Sequence, residues 1–353
     1  MSRQQTIKSV LRHPLGITGA IIIFIYVVMA LAGNSICLDK TKDANQISLP
    51  IALLPPMSRV KFLEMESDSN TSAFKRWLKG KNEPFSIPMS DYRISGDTAY
   101  IQVYGMDSSA SREVVVLNRG IKHQIVEKTF YLGTDGFGRD VLSRIIMGSR
   151  VSLSVGIVAV AISLLIGTIL GLMAGYFGGL TDKFISWLIN VIWSLPTMLL
   201  VVAISFAMGR GFWQIFIAIG LSAWVEVARI VRGQVLSLKE KEFIQAAKVL
   251  GFGPYRIMFV HILPNLRSSL IVLAVSIFGT AILLESGLSF LGLGLAPPAP
   301  SWGMMIKENY PYIMFDSEYL AIVPGLVIMS LVMGFNFLGI ALRDALDIHL
   351  QDT

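Results

Sequence analysis

Apolar runs of about twenty residues recur along this chain, separated by short polar connectors. Leu15–Gly33, Val151–Gly175, Phe184–Met208, Gly211–Val225, Ser268–Leu291 and Tyr319–Leu342 read as hydrophobic segments. A helix needs roughly 20 mostly apolar residues to cross a bilayer, so the pattern predicts an all-α membrane protein with six transmembrane helices. The shortest candidate, Gly211–Val225, begins beside Gly209-Arg210-Gly211. Two stretches break the pattern. Segment 34–130 is mixed, with a helical pattern over Ser72–Lys81 and strand-like patterns over Ala99–Tyr104 and Arg112–Leu117. This predicts an α+β insert between the first and second spans. The other stretch, EFIQAAKVLGFGPYRIMFVHILPN at 242–265, is too polar to span and too patterned for an idle loop.

Composition agrees with the pattern. Only 15% of the 353 residues are charged, against about 25% in soluble domains. The net charge of +6 reports topology rather than nucleic acid. Arg3, Lys8 and Arg12 precede the first span, and Arg229, Arg232, Lys239, Lys241, Lys248, Arg256 and Arg267 cluster after the fourth. The positive-inside rule puts the N-terminus and loop 226–267 in the cytoplasm. Six spans return the C-terminus to the same side, and segment 34–130 falls outside. The first apolar run exceeds the 7–15 residues of a signal-peptide core, so it is expected to stay as a span. The expected organisation is therefore 1–33, cytoplasmic N-terminus and first span; 34–130, extracytoplasmic insert; and 131–353, a five-span core with its cytoplasmic loop.

Within 242–265, Phe243, Ala246, Ala247 and Leu250 share one helical face, and Glu242, Gln245 and Lys248 share another. Gly251 stands where a left-handed cap wants glycine. Pro254 suits the start of a second helix, and Pro264 is expected to end it. Physics alone leaves two readings: an amphipathic helix on the protein's own surface or the bilayer, or a docking helix for a cytoplasmic partner.

These residues resemble a known family. Gln245-Ala246-Ala247, Gly251 and Ile262-Leu263-Pro264 are similar to the EAA loop of ABC importer permeases, with Gln245 where the family has glutamate. GTDGFGRDVLSRIIMGSR at 133–150, ESGLSFLGLGLAPPAPSWG at 285–303 and LRDALD at 342–347 resemble the C-type permease subunits for dipeptides, oligopeptides and nickel. The resemblance covers about 1–33 and 131–353 and leaves the insert unmatched. It implies the ABC importer fold, alternating access and uptake of peptides, with nickel complexes or other small solutes as the alternative cargo. It also implies a second homologous permease subunit, two ATPase subunits that bind ATP and Mg, and an extracytoplasmic solute-binding protein. Glu242, Phe243, Gln245, Ala246, Ala247, Leu250, Gly251, Leu263 and Pro264 become the expected ATPase-coupling residues. No GxxxxGK[ST] phosphate loop occurs in the chain, so ATP hydrolysis is expected of the partners, with no catalytic, cofactor or metal residues here. A membrane scaffold docking a non-ATPase partner is the reading from a different class. A secondary transporter would call for inverted repeats or midplane charges.

Other residues stand out singly. Asp135, Arg139 and Asp140 precede the second span in a glycine-punctuated turn. An Asp140–Arg144 pair fits helical spacing, and contact with the binding protein is the alternative role for this group. Glu285, Asn190 and Asn336 are polar residues in apolar spans, and are candidates for a translocation path or outer gate. Gly167, Gly171 and Gly175 recur every fourth residue, as close helix packing requires.

Overall fold

The computed structural model describes residues 9–65, 85–95, 98–105, 113–116, 123–209, 213–295 and 298–347. The helix expected over Ser72–Lys81, Arg210, Arg3 and Lys8 lie outside the described residues. In chain order, α1 is Pro14–Ile36 and α2 is Val141–Phe177. Between them lie β1 (Ser58–Met65), β2 (Phe85–Ser95), β3 (Thr98–Val103), β4 (Glu113–Val116) and β5 (His123–Phe130). Then follow α3 (Gly179–Trp193), α4 (Thr197–Met208), α5 (Gln214–Lys239), α6 (Glu242–Val249), α7 (Arg267–Phe290), α8 (Trp302–Asn309) and α9 (Tyr319–Asp347). The chain is mostly helical, with five helices long and apolar enough to cross a membrane, or six if α3 and α4 count as one broken span.

That pair corrects the expectation of one straight span over Phe184–Met208. α3 and α4 meet at 96°. Pro196 lacks an N–H and clashes with a continuing helix, and it takes an extended ψ of 125° instead. The span expected at Gly211–Val225 is instead the 26-residue α5. Its hydrophobic pattern fades after Val225 because charged side chains enter it, not because the helix ends. Pro264 also fails to end its helix. Residues Ile257–Ile262 take a π-helical turn, and Leu263–Asn265 carries the path on to α7. A shift in hydrogen-bond register just before a proline is one way to absorb its missing donor.

The chain falls into two compact units. The first comprises Met1–Ile25, Ser152–Leu295 and Ile328–Thr353; the second comprises Tyr26–Val151 and Ala296–Val327. In the first unit, α2 packs on α5 through Gly167, Gly171 and Gly175. A Cβ on Gly171 would lie 2.7 Å from the Ala228 carbonyl oxygen and 2.8 Å from Val231 Cβ. Val227, Val231 and Val235, all buried, fill the opposing face. The bidentate pair of Arg232 with Asp182, at 2.5 and 2.7 Å, ties α3 to α5.

The second unit carries an antiparallel sheet in the order β4-β3-β2-β1-β5. The two strands expected from pattern are β3 and β4. Alternation sorts β1 between two apolar layers: Leu63 joins Ile87, Met89, Ile101 and Val103, while Val60 and Phe62 join Ile51 and Phe130. Cys37 is 3% exposed, and burial raises its thiol to about 11, which keeps it protonated and inert at neutral pH.

Because the α2–α5 approach is this tight, Gly171→Leu should force the helices apart. Overpacking costs ~1–3 kcal/mol, and the lower thermal midpoint of the purified protein should report it. Gly233→Leu, on the open side of α5 where nothing lies within 4 Å of a new Cβ, is the control. Equal midpoints for both variants would contradict the packing.

Candidate coupling surface

α5 ends at Lys239, and Lys241 turns extended, with ψ 144°, before α6 begins. Glu242 sits in the first turn of α6, where a carboxylate complements the helix dipole. The helix is held by Ile244 and Ala247, at 0% and 4% exposure. They join a cluster with Val231, Val235, Ile257, Met258, Ile262 and Leu266. The other side is open: Phe243 is 41% exposed, Val249 88% and Leu250 71%, and Ala246 lies among them, also exposed.

This corrects the expected face. Ala247 belongs to the anchoring side and not to the presented one. Both faces of α6 carry apolar residues, so spacing alone does not separate them. Val249 lies outside the single stripe that spacing picks out, and its place is visible only once the anchoring side is known. The presented face is Phe243, Ala246, Val249 and Leu250, bordered by exposed Glu242 and Gln245, with Lys248 half-buried.

Two features fix the ends of α6. Gly251 has φ +76°. Its N–H donates to the Lys248 carbonyl at 2.9 Å, and Phe252 N–H donates to Ala247 at 3.1 Å. Gln245 Nε2 donates to the Lys239 carbonyl at 2.9 Å, tying α6 back to the end of α5. A glutamate there could not donate at neutral pH, which gives the departure at Gln245 a local use. Beyond the hinge, Phe252 is sandwiched between the Arg256 guanidinium, 4.2 Å from its ring centre, and His261, stacked at 5.7 Å. Leu263 packs on the same cluster as α6, and Pro264 is half-buried beside it.

The remaining candidates divide. Glu285 is fully buried in the first unit, where its carboxylate accepts from the Ser289 hydroxyl at 2.7 Å and, more weakly, from Ser286 at 3.5 Å. It braces the end of α7 and faces no open path in this conformation. Asn190 on α3 and Asn336 on α9 are exposed. Asp135, Arg139 and Asp140 are buried, at 2%, 5% and 5% exposure, so they present no side chain to a docking protein. In place of the Asp140–Arg144 pair, Arg139 Nε donates to Asp135 at 2.7 Å, and Glu308 accepts from Arg139 at 2.6 Å and Arg144 at 3.3 Å. Asn45 Oδ1 accepts from both arginines. Asp140 turns instead to Ser143, whose N–H and hydroxyl both donate to Oδ2, while Oδ1 has no partner among the described residues. Burial raises the Asp140 carboxyl above the ordinary range.

Residues 167–351 match the family described as binding-protein-dependent transport system inner membrane component. A dipeptide transport system permease protein, DppC, of Alkalihalophilus pseudofirmus is 45% identical over 217 residues, 62% of this chain and 71% of that protein. A glutathione transport system permease protein, GsiD, of Pectobacterium atrosepticum is 41% identical, covering 63% of this chain and 73% of its own. An oligopeptide transport system permease protein, OppC, of Bacillus subtilis is 38% identical, covering 64% and 73%. A solved chain of the MetNI methionine ABC transporter, inward facing, superposes with a TM-score of 0.48 at 18% identity, over 58% of this chain and 97% of that one.

The buried charges make two outcomes measurable. Glu308→Ala leaves two buried guanidinium groups facing one carboxylate, and breaking a buried pair costs about 3–5 kcal/mol. The thermal midpoint should fall sharply, and an unchanged midpoint would remove the cluster from any role in stability. Asp140 acts in the opposite sense. Its folded pKa is raised, so its stabilising contribution is complete below the unfolded value of about 3.9 and is lost as pH rises through the folded value. Asp140→Asn should therefore lose less stability than the native chain as pH increases from 4 to ~8. An equal or steeper decline would contradict this.

Proposed function

The chain belongs to the family of binding-protein-dependent transport system inner membrane components, and on that premise we propose that it imports peptides by alternating access, driven by separate ATPase subunits through α6. As a family member it is a multi-pass inner-membrane permease subunit. The cargo follows that of its relatives, the dipeptide, oligopeptide and glutathione transport permeases. A second homologous permease, two ATPases that carry ATP and Mg, and an extracytoplasmic binding protein complete the assembly.

The observation that carries the coupling role is the geometry of α6. Ile244 and Ala247 root it in the membrane-helix unit, while Phe243, Ala246, Val249 and Leu250 stand clear. An isolated eight-residue helix is marginal in water, so this one depends on its anchor. A force on the outer face therefore reaches α5 and α7 through the shared cluster. Such an apolar patch among basic residues, Lys239, Lys241, Lys248 and Arg256, suits a cytoplasmic protein groove. With that side inside, the sheet of β1–β5 lies outside and both termini lie in the cytoplasm.

The two faces of α6 can be told apart by substitution. Ala246→Trp places bulk on the presented face and should leave membrane yield near normal. An overpacked contact of ~1–3 kcal/mol weakens association by about one to two orders of magnitude, and co-purification of the ATPases reads that loss. Ala247→Trp strikes the anchor and should lower yield of the chain itself. Gly251→Val forces a β-branched residue to positive φ and should uncouple ATP hydrolysis from uptake. If Ala246→Trp and Gly251→Val both keep full ATPase association and uptake, α6 is a surface helix only. A reporter fused within residues 106–112 should be active only outside the cytoplasm, and activity inside would overturn the topology.

A further inference from the structure

α5 is the most enclosed of the candidate spans, yet one narrow strip of it is open. Glu226, Arg229, Gly233 and Ser237 are all exposed, while Val225, Val227, Ala228, Val231 and Val235 are buried. At about 100° per residue, Glu226, Gly233 and Ser237 fall within ~40° of one line. The strip is polar, and at Gly233 nothing lies within 4 Å of where a Cβ would stand. The Arg229 guanidinium lies over the Trp193 ring, 3.4 Å from its centre. The Glu226 carboxylate has no hydrogen bond or ion pair among the described residues.

Depth makes this strip unusual. α5 has 26 residues, about 39 Å at ~1.5 Å per residue, against a hydrocarbon layer of about 30 Å. Glu226 lies about 18 Å from the start of the helix. However the layer is placed along α5, Glu226 stays at least roughly 9 Å inside either edge. A carboxylate at that depth facing lipid is disfavoured, and ionisable residues there face a water-filled cavity or another polar group. Gly233 and Ser237 alone would suit a helix–helix seam, but the carboxylate of Glu226 beside them would be costly to close against an apolar partner.

We propose that the Glu226–Ser237 strip is this subunit's wall of a water-filled substrate passage, with Glu226 the counter-charge for a cationic amino group of the substrate. The proposal rests on the permease reading above. It names a residue of recognition within the membrane, where Asn190, one turn before Trp193 on α3, also stands exposed. A carboxylate in a desolvated passage binds an ammonium group through charge-assisted hydrogen bonds, and the passage refills with water once the group leaves.

The test uses the assembled transporter, with permease partner and ATPases, in lipid. Cys37, the chain's one cysteine, is buried and can be replaced as Cys37→Ala. In that background, Glu226→Cys, at mid-depth, and Gly233→Cys should react with two water-soluble methanethiosulfonates, one carrying trimethylammonium and one sulfonate. Ile157→Cys and Leu165→Cys, exposed apolar positions on α2, should not react. At Gly233→Cys, with Arg229 one turn away and Glu226 two turns away, the ratio of cationic to anionic reaction rates reads the net local charge. Glu226→Gln should lower that ratio severalfold and lower dipeptide uptake, while the ATPases still co-purify. Reaction at Glu226→Cys no faster than at the controls overturns the proposal. So does reaction only after the permease partner is removed, since the strip would then be a subunit seam. An unchanged ratio in Glu226→Gln overturns the counter-charge role. Failure of the native chain to co-purify with any ATPase would instead overturn the permease reading.

Discussion

The close approach of α2 and α5 sets the terms for the first unit. Three glycines remove the side chains that would hold the helices apart, and three valines of α5 fill the space. Once α5 is seated, its remaining faces are allotted. Arg232 holds α3 through Asp182. The lower valines and Ile257, Met258 and Ile262 form the bed on which Ile244 and Ala247 lie. One face is left over, and it is polar. Van der Waals packing drives helix association in lipid because burial from water supplies little there. A single added methyl at Gly171 therefore acts on every element downstream of α5.

Legibility in the sequence followed the strength of each signal. The spans were readable because lipid demands long apolar runs, and the glycine repeat announced the contact it makes. The bend at Pro196 is masked in the pattern, since apolar residues run from the end of α3 into α4 on both sides of it. The length of α5 was hidden for the opposite reason. Glu226, Arg229 and Arg232 interrupt the apolar run, and their charges look like a boundary when they mark a polar face within the helix. The face of α6 was half legible: helical spacing identified a helix, but two apolar stripes on eight residues allow two orientations. Only the cluster around Ile244 decides between them.

The candidate residues before the second span show a different limit. Charge in a glycine-rich turn beside a membrane suggests a surface, and Asp135, Arg139 and Asp140 are nevertheless buried. Asp135 and Asp140 pair locally, but Asn45 and Glu308, which hold Arg139, lie 94 residues before it and 169 residues after it in the chain. No local pattern pairs such distant groups. Burying four charges is tolerable because they neutralise one another and Asn45 accepts one further bond from each arginine, while Arg144 Nε has no hydrogen-bond partner among the described residues. A half-satisfied set would be worse than an apolar core.

The same turn explains why the insert is more than an attachment. Gly138, at φ +72°, brings its backbone so near the Ser48 carbonyl that a Cβ would lie 1.8 Å from that oxygen. Thr134 accepts from Leu54 N–H at 2.9 Å, and its hydroxyl donates to the Ile51 carbonyl at 2.5 Å. Tyr319, opening α9, donates to the Leu54 carbonyl at 3.1 Å. Residues 39–54 thus complete the hydrogen bonding of the turn that leads into α2 and touch the start of α9. They are bound into the second unit as firmly as the turn itself. Of the strands, β2 and β3 share a core with Leu63 of β1, and the Gln46 side chain donates to the Ser86 hydroxyl of β2. Residues 39–54 are therefore tied both to the turn before α2 and, through Ile51 and Gln46, to the sheet.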